Sequence, residues 1–319
     1  TPRTSSAASD VYKRQNLKDI SKKDLRKILI DAKKRKSARK KLNTLDTDKD
    51  LPLRGKLLIQ MFEKSSLRTR LSFYLAIKQL GGGALTLRSN ELHFGEGGES
   101  LGDTAKILST YGDGFMLRTD SDKKIEQFKS YLSIPIINGL SPSSHPTQVL
   151  SDIFTVEEIK KKTISKLNIS WIGDSNNVLN SLIAASIKFD FRLKIGCPKK
   201  YQPKKFILNM LKKNHNKVEI FNNAQKAATN ADVIFSDKVI SLNDKVNKKK
   251  KLSEFSNFRI TSKLMSCAKK DCIFLHCLPR GSEVDEKVFF SNKSKVWLQA
   301  TNRIHVQKSI LLYSFGKLR

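Results

Sequence analysis

The side chains of this chain that could do chemistry crowd into a few short segments. Glu63-Lys64-Ser65-Ser66-Leu67-Arg68-Thr69-Arg70 sets hydroxyls and guanidinium groups at what reads as the start of a helix. Helix-start amides, hydroxyls and arginines together make a cradle for a phosphate. An ordinary N-cap at Ser65 or Ser66 with solvent-facing arginines would leave the same letters. Arg118 directly follows the apolar run Phe115-Met116-Leu117. His145 and Gln148 stand three apart at another helix start, hence on one face. Downstream, Trp171-Ile172-Gly173-Asp174-Ser175-Asn176-Asn177 reads as strand, glycine turn and helix. It lacks the GxGxxG of a dinucleotide site, and its two asparagines suit the carboxylate and amine of an amino acid. Val233-Ile234-Phe235-Ser236-Asp237 ends in a carboxylate fit for a cationic substrate, and Ile273-Phe274-Leu275-His276-Cys277-Leu278-Pro279 ends in His-Cys. No separate His and Asn or Asp arrangement supports a cysteine protease.

Those segments need elements to hold them, and the hydropathy pattern supplies a regular alternation. A basic amphipathic helix is expected over residues 21–41, with Leu25, Ile28, Leu29 and Ala32 on one face. Strands are expected at 57–62, 84–87, 114–117 and 134–137, separated by helices at 68–80, 101–111 and 123–132. A helix over 145–161 bridges the halves. The second half repeats the rhythm with strands at 168–172, 192–195, 218–221, 233–235, 272–275 and 295–298, and helices at 177–189 and 204–214. A last helix over 303–315 would pack back on the first domain. Alternation of this kind predicts an α/β protein with mostly parallel sheets and helices on both faces. Ligands of open α/β sheets bind beyond the carboxyl ends of the strands, where the polar segments fall.

Length and composition set the outer limits. The 319 residues suit two domains, and 39% hydrophobic residues allow sizeable cores. No apolar run reaches the ~20 residues of a membrane helix, so no membrane partner is expected. The 61 Lys plus Arg against 30 Asp plus Glu give a formal charge of +31. The basic clusters are scattered and carry no interleaved aromatics on which bases could stack. They read as a Lys-rich surface around an anion-binding protein, with no nucleic acid as primary partner. Cys197, Cys267, Cys272 and Cys277 form no CxxC pair, which fits neither a disulfide framework nor a zinc ribbon and suits a reducing cytoplasm. The first fifteen residues, rich in Ser, Thr and Ala, show no core periodicity and are expected to be a leader outside the fold.

Taken together, these segments resemble the transcarbamoylase (aspartate/ornithine carbamoyltransferase) family, and specifically its ornithine carbamoyltransferase branch, from about Asn16 to Arg319. The family's Ser-x-Arg-Thr-Arg motif appears as Ser66-Leu67-Arg68-Thr69-Arg70, its His-Pro-x-Gln as His145-Pro146-Thr147-Gln148, and its His-Cys-Leu-Pro as His276-Cys277-Leu278-Pro279. Gly173 to Asn177 and the closing Asn302-Arg303 complete the set. The resemblance implies two parallel-sheet α/β domains joined by interdomain helices, with the active site in the cleft between them. It places a carbamoyl phosphate domain at 16–147, an ornithine domain at 148–302 and a returning helix at 303–319. It implies transfer from carbamoyl phosphate to ornithine, giving citrulline and phosphate in arginine metabolism, in a cytoplasmic homotrimer without metal or organic cofactor. By the same resemblance Ser66, Leu67, Arg68, Thr69, His93, Arg118, His145, Gln148, Cys277, Leu278 and Arg303 would contact the donor. Asn177, Asp237, Ser241 and Leu242 would hold ornithine, and Cys277, Arg118 and His145 would be catalytic.

Some positions depart from the family pattern. The ornithine loop usually reads Asp-x-Trp-x-Ser-Met-Gly, and here Asp237-Lys238-Val239-Ile240-Ser241-Leu242-Asn243 keeps only the Asp and Ser. Leu67 replaces a Thr, as in relatives acting on acylated ornithines, His93 replaces a Gln and Thr301 a Glu. These changes bear on the acceptor more than on the donor. They leave open a sibling transferase using an acylated ornithine or putrescine, or a non-catalytic basic binding protein of the same fold.

Overall fold

The computed structural model describes residues 16–88, 98–204, 207–209, 211, 217–240 and 247–318. The chain forms two compact units, one of residues 1–151 with 301–319 and the other of residues 152–300.

In the first unit, strands β1 (Leu57–Phe62), β2 (Gly83–Arg88), β3 (Gly114–Arg118) and β4 (Ile136–Leu140) form a parallel sheet in the order β2-β1-β3-β4. Strand periodicity of two sends alternate β1 side chains to opposite faces. Leu58 and Phe62 pack with Phe73, Ala76 and Ile77 of the Leu67–Gln79 helix, with its C-cap Leu80, and with Leu311 and Leu312. Ile59 and Met61 pack with Ala105, Leu108, Ile125 and Phe128 on the other face. Helices therefore cover both faces, as a parallel sheet requires. The expected strand at 134–137 is shifted toward the carboxyl end, because Asn138 and Leu140 continue the pairing with β3, with Gly139 passed over at a shift in register.

In the second unit, β5 (Asn168–Ile172), β6 (Arg192–Gly196), β7 (Val218–Phe221), β8 (Val233–Ser236) and β9 (Ile273–His276) run parallel in the order β7-β6-β5-β8-β9. The strand expected over 295–298 is not one. Phe274 makes an isolated bridge to Ser294, and the chain then enters a 19-residue helix, Val296–Ser314. The letters Val-Trp-Leu mimic a strand, but Val296 is buried and Trp297 exposed on a helix that continues for five turns. The helix expected over 204–214 lies largely outside the described residues. Of the described residues there, 207–209 and 211 are helical.

One buried ion cluster pins the first unit. Asp48 accepts hydrogen bonds at 2.9 Å from Arg35, Arg39 and Lys308. Lys308 is fully buried, and burial pushes its ammonium down to about 8 despite the Asp48 charge. Burial also pushes the Asp48 carboxyl up, yet Lys308, Arg39 and Arg35 outweigh it and hold the group below the usual carboxylate range. A depressed carboxylate stabilises the fold above its ordinary titration range, and that contribution is lost as pH falls through its folded value. Asp48→Asn strands Lys308 and Arg39, while Arg35 keeps Asp31 and Asp50, so the unfolding free energy should drop by about 3–5 kcal/mol in guanidinium titrations. A variant within 1 kcal/mol of wild type, roughly the size of one ordinary hydrogen bond, would show that water already screens the cluster.

Candidate active site

In each sheet the strand order reverses direction at one point, between β1 and β3 and between β5 and β8. Crevices at such switch points are where open α/β sheets hold ligands.

In the first unit, β1 leads into Ser66, whose hydroxyl caps the Leu67–Gln79 helix by accepting from the Thr69 amide at 3.3 Å. Both meanings of the sequence segment are thus realised, since a cap at Ser66 coexists with a cluster of arginines. Arg303, from the Val296–Ser314 helix, donates to the Thr69 hydroxyl at 2.8 Å and to the Gln148 carbonyl at 2.6 Å. Arg118, at the end of β3, reaches the same Thr69 hydroxyl at 3.4 Å. His145 is buried beside them. Burial, then the charges of Arg303, Arg118 and Arg68, hold its imidazole well below the usual histidine range. Three guanidinium groups therefore surround a neutral imidazole, a setting that favours an anion with several acceptor oxygens.

Local backbone features aim these groups. The register between β3 and β4 shifts at Leu117/Arg118, and a bulge of this kind re-aims the side chain beside it. Gly139 sits at the shift, and a Cβ there would come within 2.4 Å of the Met116 sulfur. Glu63 ties the cradle loop to the end of β3: its carboxylate accepts from the Thr119 hydroxyl and the Lys124 ammonium, and its amide donates to the Arg118 carbonyl at 3.0 Å.

In the second unit, Gly173 turns the chain after β5 at φ +146°, a conformation L side chains rarely adopt. Trp171 fixes that turn by donating to the Asp174 carbonyl at 3.1 Å, and the buried Lys251 pairs with the Asp174 carboxylate at 2.6 Å. Asn176 caps the Asn177–Phe189 helix through its carbonyl and donates its amide to Asp237 at 2.6 Å. The Cys277 thiol donates to the other Asp237 oxygen at 2.9 Å. Asn177, Asp237 and Cys277 are thus gathered at the carboxyl ends of β5, β8 and β9. Burial pushes the Cys197 and Cys272 thiols up to about 12, so both are poor nucleophiles buried in the core.

The turn after Cys277 is built on the buried His276. Leu278, at φ +61°, donates its amide to His276 Nδ1 at 2.9 Å. That leaves the ring proton on Nε2, which meets Glu283 at 3.1 Å. Burial pushes the Glu283 carboxyl up, but hydrogen bonds from His276 and the Gly281 amide hold it below its usual range. Of the residues expected at the site, His93, Ser241 and Leu242 lie outside the described residues. The sequence pattern singles out Asn176 as a substrate ligand, whereas its side chain caps a helix and donates to Asp237, and it misses the parts of Glu63 and Glu283. Glu63 opens the segment singled out above, whereas nothing in the spacing marks Glu283 as the partner of His276.

A two-unit, parallel-sheet α/β protein with an arginine-lined anion cradle and a thiol–carboxylate pair defines a class of group-transfer proteins, and sequence comparison gives the family. The carbamoyl-P binding domain of aspartate/ornithine carbamoyltransferases matches residues 14–158, and the Asp/Orn binding domain matches residues 165–314. The ornithine carbamoyltransferase of Agrobacterium fabrum is 37% identical over 303 residues, covering 94% of this chain and 97% of the relative. That of Caulobacter vibrioides is 39% identical over 296 residues, covering 92% and 94%. Among solved structures, the ornithine carbamoyltransferase from Pyrococcus furiosus superposes with a TM-score of 0.86 at 35% identity, covering 95% of this chain and 97% of that one. The anabolic enzyme from Campylobacter jejuni gives 0.84 at 34% identity, covering 95% and 98%. The chain belongs to the aspartate/ornithine carbamoyltransferase family.

The depressed basicity of His145 has a direct signature. Without anion, its ring resonances should stay at their neutral positions as pH falls through about 6.5, the ordinary histidine value. Since the unfolded chain takes up that proton and the folded one does not, folding stability should fall over the same interval. A His145 titration midpoint near the ordinary value would mean the three arginines are more hydrated than the geometry indicates.

Proposed function

We propose that this carbamoyltransferase transfers the carbamoyl group of carbamoyl phosphate to the side-chain amine of ornithine, giving citrulline and phosphate. The observation that carries the acceptor is the Asp237–Cys277 pair, a carboxylate and a thiol at 2.9 Å where a substrate ammonium can be received. An acceptor bearing extra carboxylates, such as aspartate, would meet a like charge there. Ser66, Arg68, Thr69, Arg118, His145, Gln148 and Arg303 hold the donor, with Leu67, Leu278 and His93 contributing contacts. Asn177, Asp237, Ser241 and Leu242 hold ornithine.

The chemistry follows from these placements. Ornithine enters as an ammonium, and the Asp237–Cys277 pair takes one proton so that the amine lone pair is free. That nitrogen attacks the carbamoyl carbon while donors from Arg118, His145 and Thr69 stabilise the developing oxyanion. His145 serves as a neutral donor. The C–O bond to phosphate then breaks, the departing phosphate carries away the second amine proton, and the arginines hold its charge. Holding both reactants in place is worth roughly 7 kcal/mol or more.

We place the enzyme in arginine biosynthesis in a reducing cytoplasm, which suits four free cysteines. We further propose a homotrimer. Leu67, Leu71 and Tyr74 form an exposed apolar stripe at helical spacing on the Leu67–Gln79 helix, and Leu85 is exposed on the edge strand β2. Such a stripe is what a subunit contact would cover. Sedimentation should give a trimer, and Leu71→Glu should yield monomers; a monomeric wild type at full activity removes the trimer.

Citrulline formation tests the reaction, with putrescine, acetylated ornithine, succinylated ornithine and aspartate as parallel acceptors. Turnover with ornithine alone supports the proposal, and turnover only with another acceptor keeps the donor cradle but replaces the substrate. Arg68→Ala should abolish donor binding, and Cys277→Ser should lower kcat more than stability. Unchanged kinetics for Cys277→Ser would make the thiol a packing group.

A further inference from the structure

The end of β9 has a support that the motif-bearing residues do not account for. As the edge strand of its sheet, β9 presents outward-facing backbone groups that need partners other than β8. The first of them are met by the approaching chain. Phe274 donates its amide to the Lys293 carbonyl at 2.8 Å, and its carbonyl accepts from Lys295 at 2.9 Å. No strand continues past that bridge, because the chain turns into the Val296–Ser314 helix. The next outward amide belongs to His276, the residue before the thiol. It is taken by a side chain, donating to Gln299 Oε1 at 3.0 Å.

Gln299 is itself held. Its Nε2 donates to Asp152 Oδ1 at 2.8 Å, and both residues are almost wholly buried, at 2% and 1% exposure. This arrangement allows one amide orientation only, because a flipped carboxamide would set NH₂ against N–H and carbonyl against carboxylate. Buried polar groups in such a chain have no water to fall back on, so the loss of one link leaves the next unsatisfied.

We propose that Gln299, oriented by Asp152, is a positioning residue for carbamoyl transfer: it fixes the end of β9 so that the Cys277 thiol meets Asp237. The proposal rests on the reading that the Asp237–Cys277 pair manages the acceptor amine. The His276 ring and Gln299 then hold opposite sides of one short turn. The ring orders Leu278 through Nδ1, and Gln299 orders the backbone entering Cys277. A small drift of the strand end would separate the thiol from Asp237, and displacements of about 1 Å caused by distant substitutions can lower turnover about 100-fold.

The test uses the full-length protein as wild type, Gln299→Leu, Gln299→Glu and the double variant Gln299→Glu/Asp152→Asn, with two readouts. One is kcat and KM for citrulline formation. The other is the iodoacetamide labelling rate of Cys277 relative to Cys267, a half-exposed thiol of the same unit, read by peptide mass spectrometry. Gln299→Leu should lower kcat about 100-fold with little change in KM for carbamoyl phosphate. It should also raise the Cys277:Cys267 labelling ratio severalfold as the thiol leaves Asp237. Gln299→Glu faces two carboxylates against each other and should be worse. Adding Asp152→Asn restores a donor–acceptor pair of reversed polarity, and should bring both readouts back to within severalfold of wild type. A folded Gln299→Leu with wild-type kcat and labelling overturns the proposal. So does a double variant that folds like wild type without recovering either readout, since that would reduce the chain to scaffolding. If wild type makes no citrulline, the ornithine reading fails, and the labelling ratio alone still decides whether Gln299 holds the thiol.

Discussion

Like charges gathered in one buried place repel, and the first unit is organised around making that gathering tolerable. Arg68, Arg118 and Arg303 come from a helix start, a strand end and the chain's last helix, yet all act on the same imidazole. Nothing local would bring them together. Neutral acceptors such as the Thr69 hydroxyl and the Gln148 carboxamide hold the guanidinium groups without quenching them. A carboxylate in either place would neutralise the cradle and compete with an incoming anion. Neutral partners such as these leave positive potential for an anion, and the buried His145 follows that potential by staying uncharged. Burial, and then the same field that is proposed to bind phosphate, thus set the protonation state of the group beside it.

In the proposed reading the second unit faces the opposite problem, presenting a carboxylate to a cation without letting it collapse onto a cation of its own. Asp237 is held by two neutral donors, the Asn176 amide and the Cys277 thiol. The nearby Lys251 ammonium is engaged by Asp174 instead. Each unit thus applies one rule with reversed sign. In the proposed reading, the charge offered to the ligand is held by neutral groups, Thr69 and Gln148 in one unit and Asn176 and Cys277 in the other.

This rule explains which parts of the molecule were legible in the sequence. The residues proposed to meet ligands sit at strand ends and in short motifs, so Ser66, Arg68, Thr69, His145, Gln148, Asp237 and Cys277 could be named from spacing and family resemblance. Residues that meet other residues carry no such mark. Glu63 reaches Thr119 and Lys124 across the sheet, Glu283 reaches His276 around a turn, and Gln299 reaches a backbone amide from a helix whose first residues read as a strand. Each depends on a tertiary contact that local periodicity does not encode. The misread segment Lys295–Leu298 is instructive for that reason. A buried Val followed by an exposed Trp fits strand and helix templates alike, and only the downstream run through Gln299 and Asn302 decides for the helix.

The same logic gives the chain's large positive charge a structural meaning. With 30 acidic residues against 61 basic ones, carboxylates are scarce. Many of those described are committed to particular tasks: Asp48 to the buried cluster, Asp232 to the start of β5 and to Lys269, and Asp113 to the start of β1 and to Lys56. The surplus lysines lie mostly on exposed faces such as that of the Lys22–Ala38 helix, where water hydrates them at little cost. A surface of this sign attracts anions from a distance, with a range set by salt. For a protein whose donor is a small phosphorylated anion, the scattered charge and the arginine cradle act in the same direction at different lengths. The surface raises the local concentration of anions without distinguishing among them. In the proposed reading, selection falls to Arg68, Arg118 and Arg303, whose directed hydrogen bonds the surface lysines cannot reproduce.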